Sequence, residues 1–171
     1  MDRLLRFTGF SASEFYCLLS AFDMPALVGL NSEVSIEATQ EAYDRGIFSL
    51  FKRGILKSEE EGFKLREDIK RIFDVLKSAE EILHLKENKG RCREMVLYIN
   101  DKDTVISVGG NRKDEMVMLS YIERVDVQSA LEDAGYFEEE MDITIEKLDA
   151  ISGFVISTSS EKQVVYQLIN N

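Results

Sequence analysis

The apolar residues recur at two spacings along the chain, and the change between them divides it. After Ser11, the residues Phe15, Leu18, Leu19 and Phe22 fall on one face of a helix. Ser11 with Glu14 three residues on is a capping box at the start of that helix. Pro25 ends it by turning Met24 away from the α region. An apolar link, Ala26 to Leu30, follows. Ser35 is the next expected N-cap, opening a helical pattern through Ala38, Ala42 and Tyr43. Gly46 interrupts this pattern, Phe48, Leu50 and Phe51 resume it, and Gly54 closes it as a C′ glycine. Ile55-Leu56-Lys57 and Phe63-Lys64-Leu65 flank Ser58-Glu59-Glu60-Glu61-Gly62 as a small β-hairpin. Ile69, Ile72, Phe73 and Leu76 then predict a third helix over 66–77. Helix, helix, hairpin and helix in that order resemble a winged helix-turn-helix.

From residue 81 the pattern is that of a sheet. Ile82-Leu83-His84-Leu85 is a short strand, and Met95 to Ile99, Thr104 to Val108 and Met116 to Ile122 form a meander. Its turns lie at Asn100-Asp101-Lys102-Asp103 and Gly109-Gly110-Asn111-Arg112. Asp126 caps a helix over 127–134, stopped by Gly135. Residues 141–151 read equally as strand or helical turn. Phe154 to Ser157 and Val164 to Ile169 read as a closing hairpin. The expected fold is α+β in one domain, 1–171. Residues 1–78 are mainly helical with the hairpin at 55–65, and 79–171 are mainly antiparallel sheet.

The meander strands carry a further expectation. A sheet with one wet face alternates apolar and polar residues. The runs at 95–99 and 116–119 do not, so both faces of these strands are apolar. Either the predicted helices cover one face and only part of the other, which leaves a surface for a partner or a second copy of the chain, or those helices suffice to cover both. The residues expected to meet that partner are Met95, Leu97, Val105, Met116, Met118 and Tyr121, with the methionines adapting to an irregular helical surface.

Charge changes the picture next. The 171 residues hold 32 acidic and 21 basic side chains, a net charge of −11. Residues 1–90 account for −3 (16 acidic, 13 basic) and residues 91–171 for −8 (16 acidic, 8 basic). Such a surface repels phosphate backbones and favours a protein partner. Residues 45–77 are locally basic, at +3, through Lys52, Arg53, Lys57, Lys64, Arg66, Lys70, Arg71 and their neighbours. Yet the tip of the would-be wing is Glu59-Glu60-Glu61, which opposes nucleic-acid binding. Two distant cysteines, Cys17 and Cys92, no leader-like apolar segment and no run near the ~20 residues of a bilayer span point to a cytoplasmic protein without membrane insertion.

Catalytic and metal chemistry find little support. His84 is the single histidine and sits in a strand pattern. Two cysteines far apart with one histidine do not make a zinc cluster, and Gly109-Gly110-Asn111 is no phosphate cradle. Glu138-Glu139-Glu140 matches no calcium loop. The expectation is a non-enzymatic protein without a cofactor.

Three stretches together supply a family resemblance. Met24-Pro25-Ala26-Leu27 with Leu30 follows the first helix, the second ends in Leu50-Phe51-Lys52-Arg53-Gly54-Ile55, and Phe63 to Leu76 leads into Ile82-Leu83-His84-Leu85. Over residues 10–125 this order resembles the EspG-like chaperones of ESX (type VII) secretion systems. The resemblance implies a cytosolic chaperone or adaptor that holds helical secretion substrates on its sheet and hairpin loops. The chain corresponds to about one half of the usual length of that family, and a homodimer would restore the other half. The alternative is a winged-helix transcription-associated regulator with an acidic dimerisation or sensor domain.

Overall fold

The computed structural model describes residues 5–24, 27–29, 39–108 and 116–170. Within them the fold is α+β, with N-terminal helices followed by a β-meander. The N-terminal part contains β1 (Thr8–Phe10), α1 (Ala12–Ala21), α2 (Gln40–Lys52), a hairpin of β2 (Leu56–Glu59) and β3 (Gly62–Leu65), and α3 (Glu67–Ser78). The meander is β4 (Glu81–Glu87), β5 (Met95–Ile99), β6 (Asp103–Val108) and β7 (Val117–Glu123). A 3-10 turn at Arg124–Asp126 leads into α4 (Val127–Asp133), and β8 (Ile143–Leu148), β9 (Val155–Ser159) and α5 (Gln163–Asn170) complete the chain.

Local chemistry sets most of these boundaries. Ser11 caps α1 by accepting from the Glu14 N–H, while the Glu14 carboxylate accepts from the Ser11 N–H. Thr39 caps α2 by accepting from the Ala42 N–H; the expected cap Ser35 lies outside the described residues. Gly54 leaves α2 at φ +69°, in the left-handed region that glycine enters without a Cβ penalty. Gly46 does not interrupt the helix: α2 runs unbroken, with Ala42, Gly46 and Leu50 on its buried stripe. Asp126 precedes α4, but its side chain makes no cap hydrogen bond.

The main sheet has seven antiparallel strands in the order β1-β7-β6-β5-β4-β8-β9, and β2–β3 is a separate ribbon. Residues 141–151, left open by the sequence, resolve into the strand β8 beside β4. The expected closing hairpin is corrected. Val164 to Ile169 are not a strand but lie within α5, which packs Val165 and Ile169 one helical turn apart onto the sheet. Six residues rich in Val and Ile favour strand locally, and burial of this i, i+4 pair overrides that preference. Arg124 secures the far end of α5, donating to the Ile169 carbonyl at 3.0 Å and to that of Leu168.

All five residues of β5 are buried, so both of its faces are indeed apolar. One face carries Val96 and Tyr98 into a cluster with Phe10, Phe15, Leu18, Leu50, Ile69 and Phe73 from β1 and α1–α3. The Phe73 ring meets Phe10, Phe15 and Phe22 at centroid distances of 5.9, 5.8 and 5.4 Å. The other face sends Met95, Leu97 and Ile99 against Val127, Ala130 and Leu131 of α4 and Val165 and Ile169 of α5. For β5 and β6 the helices therefore suffice, and the reading in which they leave a face for another chain is corrected: this chain's own helices bury both faces.

Candidate functional site

The apolar surface that remains lies outside the helical layer. A groove of about 560 Å³ opens between α1, α2, the β2–β3 hairpin and the start of α3. Its floor is Leu18, Phe22 and Leu50, and its walls include Ile47, Leu56 and Leu65. Tyr43 and Phe63 line its edge at 37% and 66% exposure, and Phe48, on the outward side of α2, is 70% exposed. Phe63 packs edge-on to Phe51 at 5.3 Å, and Tyr43 edge-on to Tyr16 at 6.2 Å, so both rings are held in place while remaining in contact with solvent.

Two devices fix the groove walls. At Gly46 the helices α1 and α2 approach so closely that a Cβ would lie 2.4 Å from the Ser13 carbonyl oxygen and 2.6 Å from Cys17 Sγ. At the end of α2, Arg53 Nη1 donates to both oxygens of buried Glu14 at 2.8 Å, and Nη2 donates to the Gly9 carbonyl at 2.9 Å. Burial pushes the Glu14 carboxyl upward. The Ser11 N–H, Arg53 and the Ser49 hydroxyl outweigh that and hold it below the usual range. The Cys17 thiol in the groove lining donates to the Tyr43 carbonyl, and burial pushes its pKa up to about 11. That leaves it a poor nucleophile at neutral pH.

Glu59, Lys64, Glu67 and Lys70 complete the lining, so the polar part of the groove mixes both signs. Lys70 pairs with Asp74 at 2.8 Å and Arg66 with Asp68 at 2.7 Å. Together with Arg53, three of the basic side chains considered for phosphate contact are thus engaged by carboxylates. Arg71 stacks over the Tyr121 ring at 5.2 Å, and the acidic tip Glu59-Glu60-Glu61 is exposed.

The six residues expected to form one partner surface are not brought together. Met95 and Leu97 are buried beneath α4 and α5, and Val105 is buried beneath the opposite helices. Burial withdraws these three from any surface. Met116 and Met118 are half-buried against Gly9 of β1. Tyr121, also half-buried, donates to Asp103 Oδ1. His84 pairs with Glu94 at 3.2 Å, and among the described residues no three His, Cys, Asp or Glu side chains form a metal-binding group. No described helix is long and apolar enough to cross a membrane.

Sequence reasoning missed the groove aromatics. The available signal was Phe48, two residues from the buried stripe position Gly46 and so on the polar side of an amphipathic helix. Of the segments carrying the family resemblance, Pro25, Ala26 and Leu30 lie outside the described residues. Arg53 and Gly54, which end α2, are the Glu14 partner and the left-handed C′ residue. No protein-family model and no curated protein matches the chain.

Proposed function

We propose that the chain is a non-enzymatic protein-binding module whose α1–α2–hairpin groove takes one face of an amphipathic helix. The observation that supports this is the framed groove of about 560 Å³ with Tyr43 and Phe63 at its edge. An amphipathic helix presents apolar anchors at i, i+3, i+4 and i+7, and such a groove accepts a row of them. Aromatic residues are the usual anchors of binding energy at such interfaces, while the mixed charges of the lining set orientation more than affinity. The role that fits is a cytosolic chaperone or adaptor for helical substrates, those of type VII secretion among them.

The test begins with affinity capture on the intact chain and identification of the bound protein. The captured protein's helix is then titrated by fluorescence anisotropy against the wild type, Tyr43→Asp and Phe63→Asp. The expected result is a loss of at least about tenfold in affinity for each variant, the effect of removing a hot-spot anchor. Binding that neither variant weakens overturns the groove reading. Salt-sensitive binding of duplex DNA would instead favour the winged-helix regulator, a reading that the neutralised Arg53, Arg66 and Lys70 and the acidic hairpin tip weaken.

A further inference from the structure

The open edge of the sheet is a second apolar surface, far from the groove in sequence and built on different elements. β9 pairs with β8 on one side and is the last strand of the sheet among the described residues, so every second backbone N–H and C=O of β9 points away from β8. In register, Lys147 faces Ser157 and Leu148 faces Val155, which leaves Ile156 as the unpaired residue of a bulge. Around it Ile151 and Phe154 are 94% and 76% exposed, and Val155 and Ile156 about half. Exposed edges are commonly guarded by lysine or proline, and β9 contains neither.

Charge selects the occupant. Residues 150–160 are eleven consecutive uncharged positions in a chain of net charge −11. Asp149, at one end, is held in the turn, where its carboxylate accepts from the N–H groups of Ile151 and Ser152 at 3.0 and 2.7 Å. At the other end Glu161 and Lys162 offset one another. A cationic partner would find no carboxylate within this window. Two copies of the same acidic chain, by contrast, meet here without apposing like charges. Antiparallel approach sends the Asp149 end of one strand to the Lys162 end of the other and keeps the two Asp149 carboxylates apart. The four exposed apolar side chains offer roughly 500 Å² per copy, a large patch for a monomer. Doubled across a two-fold axis this is at most roughly 1,000 Å², near the lower end of specific interfaces.

We infer that the β9 edge is a homodimerisation surface, in which two copies meet antiparallel along residues 154–159. This is independent of the groove. The test is light scattering and sedimentation of the intact chain over a concentration series, at low and high salt, for the wild type, Phe154→Lys and Ile156→Lys. The wild type is expected to dimerise, and more tightly at high salt, because screening relieves the mutual repulsion of two acidic chains. Each lysine variant sets two like charges near the two-fold axis and is expected to weaken the dimer at least about tenfold, with unchanged circular dichroism and thermal midpoint. Phe63→Asp, in the groove, is expected to dimerise as the wild type does. A monomer at all concentrations overturns the inference, as does a dimer that Phe63→Asp weakens and the lysine variants do not. Capture of a different protein by this edge in a monomeric chain overturns it too. None of these results bears on the groove.

Discussion

Replacing Arg53 by Met tests the idea that one ion pair holds the wall between α1 and α2. The substitution keeps the aliphatic length and removes the guanidinium. Two charge-assisted hydrogen bonds of 2.8 Å to Glu14 and one of 2.9 Å to the Gly9 carbonyl are lost, along with a cation–π contact of 5.8 Å to Phe10. Glu14 stays behind, 3% exposed, with only the Ser11 N–H and the Ser49 hydroxyl as partners. At an effective dielectric near 20, unit charges centred about 4 Å apart interact by about 4 kcal/mol. Arg53, however, is 36% exposed and partly screened by water. The expected loss is therefore about 2–3 kcal/mol at neutral pH, below the roughly 3–5 kcal/mol of a fully buried pair broken on one side.

The sign of the pH dependence follows from the depressed Glu14 carboxyl. A group held lower in the folded state than in the unfolded one stabilises fully above the unfolded value, about 4.3 for Glu, and loses that contribution as pH falls through the folded value. Arg53→Met removes a main cause of the depression, so its cost is expected to be greatest near neutrality and to shrink as pH falls through the depressed folded value of wild-type Glu14, until both chains carry a protonated Glu14. Urea denaturation of both proteins across this range measures it. A cost below about 0.5 kcal/mol at neutral pH, or one independent of pH, refutes the reasoning. Glu14→Leu combined with Arg53→Met should be more stable than Arg53→Met alone, because it removes the stranded charge.

Three other substitutions or modifications probe neighbouring parts of the frame. Gly46→Ala would ordinarily stabilise a helix by about 1 kcal/mol, but here the added Cβ meets the Ser13 carbonyl at 2.4 Å. A loss of about 1–3 kcal/mol in urea denaturation is expected, and stabilisation would contradict the close approach of α1 and α2. Thiol alkylation of the folded chain at mildly alkaline pH should label half-exposed Cys92 before Cys17, which is buried and pushed up to about 11; mass spectrometry finding the reverse order would be inconsistent with the packing. Arg124→Ala should free the last turn of α5 by removing the bonds to Leu168 and Ile169, read as faster amide hydrogen exchange over 163–170 with little change in α1–α3.

The elements legible in the sequence are those whose signals are local. The capping box of Ser11 and Glu14, the left-handed Gly54, the Phe63–Leu65 arm of the hairpin and the Ile69-Ile72-Phe73-Leu76 stripe each lie within a few residues of the feature they specify. β1 was not legible because three residues become a strand only by pairing with β7, more than a hundred positions away. Gly46 was misread because a glycine that admits a neighbouring helix and one that breaks its own helix look alike until the neighbour is in place. The groove was hidden for a related reason: Tyr43 and Phe63 belong to different elements, and no spacing along the chain brings them to one surface.

The misassigned α5 has the widest consequence. With Val164–Ile169 read as a strand, the sheet lacks a cover on the Met95-Leu97-Ile99 face, and a partner seems required in the middle of the meander. With the same residues helical, Val165 and Ile169 fill that face, and the meander is closed on both sides. A sheet covered by its own helices can present apolar area only on the outer surface of those helices or along its rim. The exposed aromatics of the first kind are Tyr43 and Phe48, joined by Phe63 of the hairpin, and the residues of the second are Phe154, Val155 and Ile156. Because the same burial removes Met95, Leu97 and Val105 as contacts, a partner is proposed at the helix–hairpin groove and a second copy at β9.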